Sequence, residues 1–406
     1  MSRVITDPES PHSLPARDES YFRGDIQGLR AVAVVLVVLD HAGVPGFEGG
    51  YVGVDVFFVI SGYVITSLLL RQDPRHPWAN LATFYARRIR RIVPAATIVL
   101  IGTVLVAYFT LGANFSPQLL GDVRWASLFA ANFRLIATGS NYFIPGVAPS
   151  LITHYWSLGV EEQFYLVYPL VVFVLTRLTV ERLRRATLAI VLVLLVAASA
   201  WWSFHQTPPA PVDAYYSPFT RFWELGLGGL VSLAPATWAR RTRRTNTVVA
   251  VLALGLLIYG VLHLNATSGY PGVLAWIPCT AAATLLFTGN AQSRGGPATW
   301  LAWRPARYVG DISYSLYLYH YAWLMLPLLW ASPPTSWRAR TLEVAGALVC
   351  SILSYHLIEN PIRRSTRLSR DRVAALLVLL VCVAASWNAT LFVARLAHFA
   401  PFALSR

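Results

Sequence analysis

Ionisable side chains interrupt an apolar stretch near the start of this sequence. Arg30 and His41 are eleven residues apart, so on a helix they share one face and lie roughly 16 Å apart along the axis. A guanidinium can bind a phosphate, and an imidazole can accept a proton from a hydroxyl near neutral pH. The pair therefore predicts a phosphate-bearing substrate and general-base chemistry on one helix. The alternative is structural, with Arg30 reaching a polar interface and His41 capping the helix end.

Four arginines form a second basic group. Arg87, Arg88, Arg90 and Arg91 lie just before Pro94. Arg87 and Arg91 are four residues apart and Arg88 and Arg91 are three apart, so each pair shares a helical face. Planar guanidinium groups in such a fork suit a diphosphate. For any single arginine of the group, the alternative is an anchor on anionic lipid.

Residues 154–165 (HYWSLGVEEQFY) supply a second histidine and two carboxylates. A carboxylate beside an imidazole can fix its tautomer and stabilise the imidazolium that forms when it takes a proton. We expect Glu161 to act on His41 in this way, while His154 and Glu162 bind substrate. The alternative for Glu161 is a structural carboxylate paired with Arg221.

A polar stripe follows one later segment. Ser313, Tyr317 and His320 are spaced i, i+4, i+7 and so share a helical face. We expect Tyr317 and His320 to bind substrate, whereas the alternative is hydrogen bonding between neighbouring helices. Asp40 joins the predicted substrate-binding residues, although its side chain points about 100° away from that of His41 on a helix.

Two other charged pairs favour structural roles. Arg221 and Glu224 are one helical turn apart, so we expect them to neutralise each other. Glu359 and Arg363 end a later apolar run, and we expect them to form a structural cap there.

The elements that carry these residues follow from composition. The chain has 406 residues, 56% hydrophobic and 13% charged, with a mean hydropathy of +0.52, whereas a soluble domain is about 25% charged. Such a chain is an integral membrane protein. The net charge is +14, but the arginines cluster between apolar runs, a pattern typical of membrane topology and not of nucleic-acid binding. Three isolated cysteines predict neither disulfides nor a metal site.

Apolar runs near the length needed to cross a bilayer recur along the whole chain. They predict an all-α polytopic membrane protein whose polar, proline-containing residues 1–23 form a disordered cytoplasmic tail. The eleven predicted spans are 27–44, 51–70, 92–111, 156–175, 187–204, 219–233, 248–264, 273–288, 309–330, 342–357 and 373–394.

Arginine predicts the topology, because the basic loops alternate and a cytoplasmic N-terminus puts most arginines inside. Arg30 and residues 87–91 then lie near the cytoplasmic ends of their spans. His41 and Glu161 lie toward the external side, so we expect Glu161 to be distant from the arginines. The long external connection 112–155 contains a stretch, 119–136, with apolar residues at helical spacing, which we expect to lie in the interface or to re-enter the membrane.

Six stretches together resemble a known family, the acyltransferase-3 family of membrane O-acyltransferases. They are residues 28–42, which include GLR and LDHA, then 53–62 (GVDVFFVISG), 84–94 (FYARRIRRIVP), 156–165 (WSLGVEEQFY), 312–320 (ISYSLYLYH) and 354–361 (SYHLIENP). Single matches of this kind are weak, but six in the same order are specific.

The resemblance implies a fold of ten core helices, here residues 24–364. Residues 365–406 would then add a basic cytoplasmic loop, an eleventh transmembrane helix and a short tail. Many members of the family carry a soluble SGNH-type domain after that helix. Only residues 398–406 follow it here, so we expect a member without that domain.

The resemblance also implies an activity: transfer of an acyl group from cytoplasmic acyl-CoA, in the first place acetyl-CoA, to a hydroxyl across the membrane. His41 would be the general base and Glu161 the glutamate of the family's Ser-Leu-x-x-Glu motif. The CoA-binding residues would be Arg30 and arginines 87, 88, 90 and 91, with Arg88 and Arg91 favoured. No metal is implied.

The acceptor stays open at this stage. An envelope glycan, a glycolipid or a glycosylated secondary metabolite in or near a bacterial plasma membrane would each present hydroxyls. One alternative function is a secondary transporter or exporter of a small polar molecule, which would also place polar residues at mid-membrane. Another is a structural or sensor membrane protein, which would not need Arg30 and His41 on one helical face. A transporter predicts inverted repeats with broken helices, and the sequence shows no repeat.

Overall fold

The computed structural model describes residues 23–72, 75–140, 142, 150–235, 237–238, 242–265, 269–289, 296–330, 336–365, 368 and 372–397. The predicted disordered tail therefore lies outside the described residues apart from Arg23, as do residues 398–406. The described residues form helices, turns and loops, with no strand among them.

Eleven helices match the eleven predicted spans. They are α1 (Gly24–His41), α2 (Gly53–Leu70), α3 (Pro77–Leu111), α4 (Tyr155–Leu178), α5 (Arg184–Gln206), α6 (Phe222–Leu233), α7 (Arg243–His263), α8 (Trp276–Gly289), α9 (Arg304–Met325), α10 (Trp337–Ser354) and α11 (Arg372–Leu396). A π-helical turn, Tyr355–Glu359, and a short helix, Asn360–Arg364, extend α10.

Within the part of the chain that the structure describes, seven helical segments are long and apolar enough to cross a membrane. They contain α2, α3, α4, α5, α7, α10 and α11, whereas α6 and α8 are shorter, with 12 and 14 residues. Helices α1 and α9 have 18 and 22 residues, and their apolar runs are broken by the ionisable residues singled out above. The predicted all-α, multi-pass membrane fold is confirmed.

Helix α3 differs most from its predicted span. It has 35 residues and begins at Pro77, so the four arginines lie within the helix and not before it. Pro94 also lies inside, although it cannot donate a backbone hydrogen bond. Tyrosines of neighbouring helices donate to carbonyls near it: Tyr314 to Ile92 at 2.7 Å and Tyr155 to Ala96 at 2.9 Å. The carbonyl oxygen that Pro94 leaves without its helical donor is that of Arg90, four residues earlier, so these two contacts hold neighbouring helices against this part of α3.

Helices α1 and α9 pack side by side and bring distant residues together. Their backbones approach so closely that a Cβ on Gly310 would lie 1.9 Å from the carbonyl oxygen of Gln27. Small residues permit this close contact in membrane helix pairs. The packing sets the polar stripe of α9 beside the face of α1 that carries His41.

The stretch 119–136 of the connection between α3 and α4 lies mostly in two helices, as its spacing predicts. Its two helices, Gln118–Ser127 and Ala131–Ala137, pack against neighbouring helices, the first against α3, α4 and α11 and the second against α4. Trp387 of α11 donates to the hydroxyl of Ser127 at 3.2 Å. Helix α11 also packs along α3, so it is fixed to the bundle on two sides.

A buried ion cluster lies between α2 and α6. The Nη1 atom of Arg221 is 2.8 Å from Oε1 of Glu224 and 2.9 Å from Oδ1 of Asp55. The predicted Arg221–Glu224 pair is confirmed, with Asp55 as a second carboxylate that the spacing did not predict. Glu359 does not pair with Arg363 as predicted: it accepts from Ser315 at 2.9 Å, while Arg363 donates to Asn360 at 3.0 Å.

Candidate active site

Three histidines from separate elements meet inside the bundle. His41 ends α1, His154 directly precedes α4, and His320 lies on α9. The rings of His41 and His320 stack with centroids 5.1 Å apart, and those of His154 and His320 lie 5.6 Å apart. We call His41, His154 and His320 the histidine cluster.

Hydrogen-bond partners determine which nitrogen of His41 can act as a base. Nδ1 of His320 is 3.1 Å from the carbonyl oxygen of Leu316 and must donate, because a carbonyl only accepts. Nε2 of neutral His320 then accepts from Nδ1 of His41, 3.0 Å away. The lone pair of His41 is therefore on Nε2, where the Tyr142 hydroxyl donates to it at 2.5 Å. A substrate hydroxyl in the place of Tyr142 would face a base.

His154 contributes a second buried lone pair. Its Nε2 lies 3.1 Å from the carbonyl oxygen of Leu318 and donates to it, so Nδ1 is the acceptor. Nδ1 is buried and has no hydrogen-bond partner among the described residues. The ring of Tyr321 packs against both His154 and His41, with centroid distances of 4.8 and 4.9 Å. The cluster thus offers a ligand two imidazole lone pairs in an aromatic surround.

A cavity of about 220 Å³ lies between α1, α2, α3, α4 and α9. We call it the arginine cavity, because Arg30, Arg88, Arg91 and Arg363 line it together with Gln27, Ser61, Ser157, Glu161, Tyr165, Ser313 and Tyr317. Buried Nε and Nη2 atoms of Arg88 have no hydrogen-bond partner among the described residues. The lining therefore holds unsatisfied donors suited to an anionic ligand such as a phosphate.

The four-arginine group divides between the cavity and its surroundings. Arg88 and Arg91 share a face of α3 and line the cavity. Arg87 is exposed, and Arg90 is buried with its Nε donating to the carbonyl oxygen of Ala86 at 3.1 Å. Neither Arg87 nor Arg90 is among the described residues of the cavity wall. Of the four arginines between residues 87 and 91, the two that the resemblance favours, Arg88 and Arg91, are therefore the ones that line the cavity.

Glu161 does not contact His41, and the prediction that it acts on that imidazole is wrong for this structure. It accepts hydrogen bonds from Ser61, at 2.6 Å, and from Tyr165, and lies 3.6 Å from Nη2 of Arg88. The prediction that it is distant from the arginines is therefore also wrong. Glu161 lies six residues beyond the start of α4, about 9 Å along the axis, so His154 and not Glu161 lies at the depth of His41.

The remaining predicted substrate-binding residues occupy different places. Glu162 lies 3.5 Å from Nη2 of Arg88 and faces a second, largely apolar cavity of about 930 Å³ between α3, α4 and α11, which Arg88 and Tyr165 also line. Asp40 packs against Gly50 in the turn before α2. Tyr317 lines the arginine cavity and also lies beside His320, with ring centroids 5.5 Å apart.

Sequence reasoning missed two residues of the site. Tyr142 lies in the long connection before α4, where no periodicity singles it out. For Arg363 the sequence predicts a cap, because it follows an apolar run. Its place after Pro361, at the cytoplasmic end of a predicted span, is the one available signal that it could join the other arginines.

One group of potential metal ligands occurs among the described residues. Asp55, Glu224 and Cys279 have ligand atoms within 4.8 Å of one another. The guanidinium of Arg221 already bonds both carboxylates. A fixed cation therefore takes the place that a metal ion would need, and these residues do not fit a metal site.

Comparison with known proteins agrees with this architecture. A family model described as an acyltransferase domain (acyltransferase-3) matches residues 23–356. The chain belongs to this acyltransferase family. The match covers α1 to α10 and ends before α11. No solved structure matches the chain.

Several curated relatives are similar over most of the chain. Peptidoglycan O-acetyltransferase OatA of Listeria monocytogenes is 31% identical over 363 residues, 84% of this chain and 56% of the relative. Putative peptidoglycan O-acetyltransferase YrhL of Bacillus subtilis is 32% identical over 357 residues, which are 83% of this chain and 54% of the relative. O-acetyltransferase OatA of Staphylococcus aureus is 31% identical over 370 residues, with 87% and 58% covered. The chain thus spans about half the length of these relatives.

Proposed function

We propose that this protein is an integral membrane O-acyltransferase that moves a short acyl group, first of all acetyl, from cytoplasmic acyl-CoA to a hydroxyl of a sugar-containing acceptor. One observation carries the proposal. Helix α1 presents Arg30 to the arginine cavity and, three turns on, His41 with the lone pair of Nε2 directed away from His320. On this proposal, one helix carries both a phosphate-binding arginine and the general base.

The donor fits the arginine cavity by charge. Its diphosphate would contact Arg30, Arg88 and Arg91, whose guanidinium groups come from two helices and can bind several phosphate oxygens at once. Glu161 and Glu162 lie near Arg88 without making a hydrogen bond to it, at 3.6 and 3.5 Å. A phosphate would therefore gain charge-assisted hydrogen bonds that the free protein does not make.

The acceptor hydroxyl would take the place that the Tyr142 hydroxyl holds at Nε2 of His41. His41 removes its proton, the oxygen forms a bond to the thioester carbonyl carbon, and the carbon–sulfur bond breaks. The departing thiolate takes the proton from Nε2, which restores neutral His41. His320 keeps the imidazole in the required tautomer throughout, because it accepts from Nδ1.

A saccharide acceptor is supported by the relatives, two of which are named for peptidoglycan. Aromatic rings suited to sugar faces lie near the base. The ring centroids of Tyr142 and Tyr215 are 4.9 Å apart, and those of Tyr215 and Trp156 are 4.7 Å apart. The arginine distribution favours a cytoplasmic N-terminus in a bacterial plasma membrane. The acceptor would then be an envelope glycan reached from the external side.

The test is acetyl transfer by purified protein in proteoliposomes, with labelled acetyl-CoA on the side of the arginines and soluble peptidoglycan fragments on the other. We expect thiol release and labelled glycan together. His41→Ala should lower both by at least about 10²-fold, because a general base contributes about 10²–10⁴. The matched control is His205→Ala, an exposed histidine at the end of α5. Wild-type rates in His41→Ala would contradict the proposal.

A further inference from the structure

One side chain, that of Tyr317, both lines the donor cavity and contacts two rings of the histidine cluster. His41 is not among the described residues that line the arginine cavity, whose lining includes Phe57, Ser157 and Tyr317. Beyond Tyr317 lie the rings of His154 and His320, with centroids 5.6 and 5.5 Å from its own. Tyr317 is therefore a wall shared by the cavity and the histidine cluster.

This wall is held at its hydroxyl and at its ring. The Tyr317 hydroxyl donates to the carbonyl oxygen of His154 at 2.9 Å and accepts from the Ser157 hydroxyl at 2.6 Å. Its ring meets that of Phe57 edge to face, with centroids 6.2 Å apart. The side chain is almost fully buried. Two buried hydrogen bonds and an aromatic contact favour one orientation over others.

We propose that Tyr317 is a specificity-determining barrier that keeps the acyl group of a bound donor away from water at His41, and that turns aside for transfer to the acceptor. The proposal rests on the function proposed above. A thioester bound in the arginine cavity cannot meet a nucleophile at Nε2 of His41 while Tyr317 keeps both of its hydrogen bonds.

A barrier is needed because the base does not distinguish water from a sugar hydroxyl. Water at Nε2 of His41 would lose a proton and form a bond to the thioester carbon, and the carbon–sulfur bond would break. The thiolate would take the proton, giving acetate and free CoA. Exclusion of water from a reactive donor is a recognised role of closed active sites.

The same residue that holds the barrier can sense the acceptor. The backbone carbonyl of His154 accepts a hydrogen bond from the Tyr317 hydroxyl. Nδ1 of the His154 ring is buried and has no hydrogen-bond partner among the described residues. An acceptor hydroxyl that donates to Nδ1 would bind the residue on which Tyr317 is anchored. Acceptor binding and opening of the barrier would then be coupled at His154.

The experiment measures thiol release from acetyl-CoA without any acceptor. Tyr317→Ala should raise it by about tenfold or more, corresponding to a barrier lower by about 1.4 kcal/mol. Tyr317→Phe, which keeps the ring and loses both hydrogen bonds, should lie between Tyr317→Ala and wild type. With acceptor present, the fraction of acetyl that reaches the glycan should fall in the same order. A misfolded variant cannot produce such a gain.

The matched control is Tyr319→Phe, which removes a tyrosine hydroxyl from the same helix outside the arginine cavity, and should leave acceptor-free thiol release unchanged. The release gained in Tyr317→Ala should disappear when His41→Ala is added. Unchanged or lower release in Tyr317→Ala, or a gain that survives without His41, would overturn the barrier. A wild-type protein that uses no acyl-CoA even with acceptor would instead overturn the proposed function.

Discussion

Nδ1 of His41 donates to Nε2 of His320 across 3.0 Å, and the carbonyl oxygen of Leu316 fixes His320 in the tautomer that can accept. Two neutral imidazoles thus form the arrangement that a carboxylate forms with histidine in many hydrolases. A neutral partner orients the ring but stabilises an imidazolium less than a carboxylate would. In the proposed mechanism His320 positions His41, so its effect should appear in turnover.

We expect His320→Ala to lower kcat by about 10²-fold, because His41 would lose the contact that sets its tautomer and orientation. The KM for acetyl-CoA should change little, since His320 lies outside the arginine cavity as the structure describes it. His320→Gln can still accept from Nδ1 of His41 and should recover part of the loss. Steady-state kinetics of thiol release would check this, and equal kcat in the Ala and Gln variants would contradict an orienting role.

The helices themselves could be predicted from sequence because each needs an apolar run of a certain length. The start of α3 could not, because residues 77–91 carry the arginines and resemble a cytoplasmic loop in hydropathy. In the structure α3 continues beyond its apolar segment through these residues, and Arg88 and Arg91 line the cavity. Hydropathy identifies helical segments that contact lipid, but it does not identify a polar segment of a helix that lines a binding site.

Contacts between helices could not be predicted from the sequence, for a different reason. Periodicity shows which residues share a face of one helix, as with Ser313, Tyr317 and His320, but not which helix that face meets. The partner of His41 is 279 residues away along the chain. Topology likewise gave the end of α4 at which Glu161 lies but not its depth, so Glu161 was assigned to the wrong neighbour.

Two arginines one residue apart on α3 give a matched comparison. Arg88 lines the cavity with buried N–H groups that make no hydrogen bond, although Nη2 lies 3.6 and 3.5 Å from the carboxylates of Glu161 and Glu162, whereas Arg87 is exposed. We expect Arg88→Ala to raise the KM for acetyl-CoA about 10- to 100-fold, because a charged hydrogen bond contributes about 1.5–3 kcal/mol. Arg87→Ala should leave that KM within about twofold. Equal effects of the two variants on KM would mean that surface charge, and not the cavity, binds the donor.

Glu161 should act through Arg88 and not through His41. Its carboxylate, held by Ser61 and Tyr165, lies 3.6 Å from Nη2 of Arg88. In a double-mutant cycle on kcat/KM for acetyl-CoA, Glu161→Ala and Arg88→Ala should show a coupling of about 0.5–3 kcal/mol, as residues in one network do. The single variants should therefore be non-additive. Additive effects, with Glu161→Ala lowering only kcat, would indicate that Glu161 acts on His41 and not through Arg88.

The buried cluster of Arg221, Asp55 and Glu224 makes a prediction about stability. Its three side chains are at most 2% exposed, and one guanidinium bonds both carboxylates. Arg221→Met would leave two acidic groups buried without their cation, and should lower the free energy of unfolding by about 3–5 kcal/mol. Denaturant unfolding in mixed micelles, followed by tryptophan fluorescence, would measure it.

Two further variants separate lost packing from uncompensated charge. Arg221→Met combined with Asp55→Asn and Glu224→Gln removes all three charges, and should regain much of the stability, because replacing a whole buried ion cluster is far less costly than breaking it. Arg340→Ala removes the cation beside Glu343, whose side chain is 8% exposed, and should cost less than Arg221→Met, because it leaves one acidic group without its cation and not two. If the triple variant is no more stable than Arg221→Met, then Arg221 stabilises the bundle mainly by packing against Trp156, Tyr215 and Tyr270, whose ring centroids lie 4.9–5.4 Å from its guanidinium carbon.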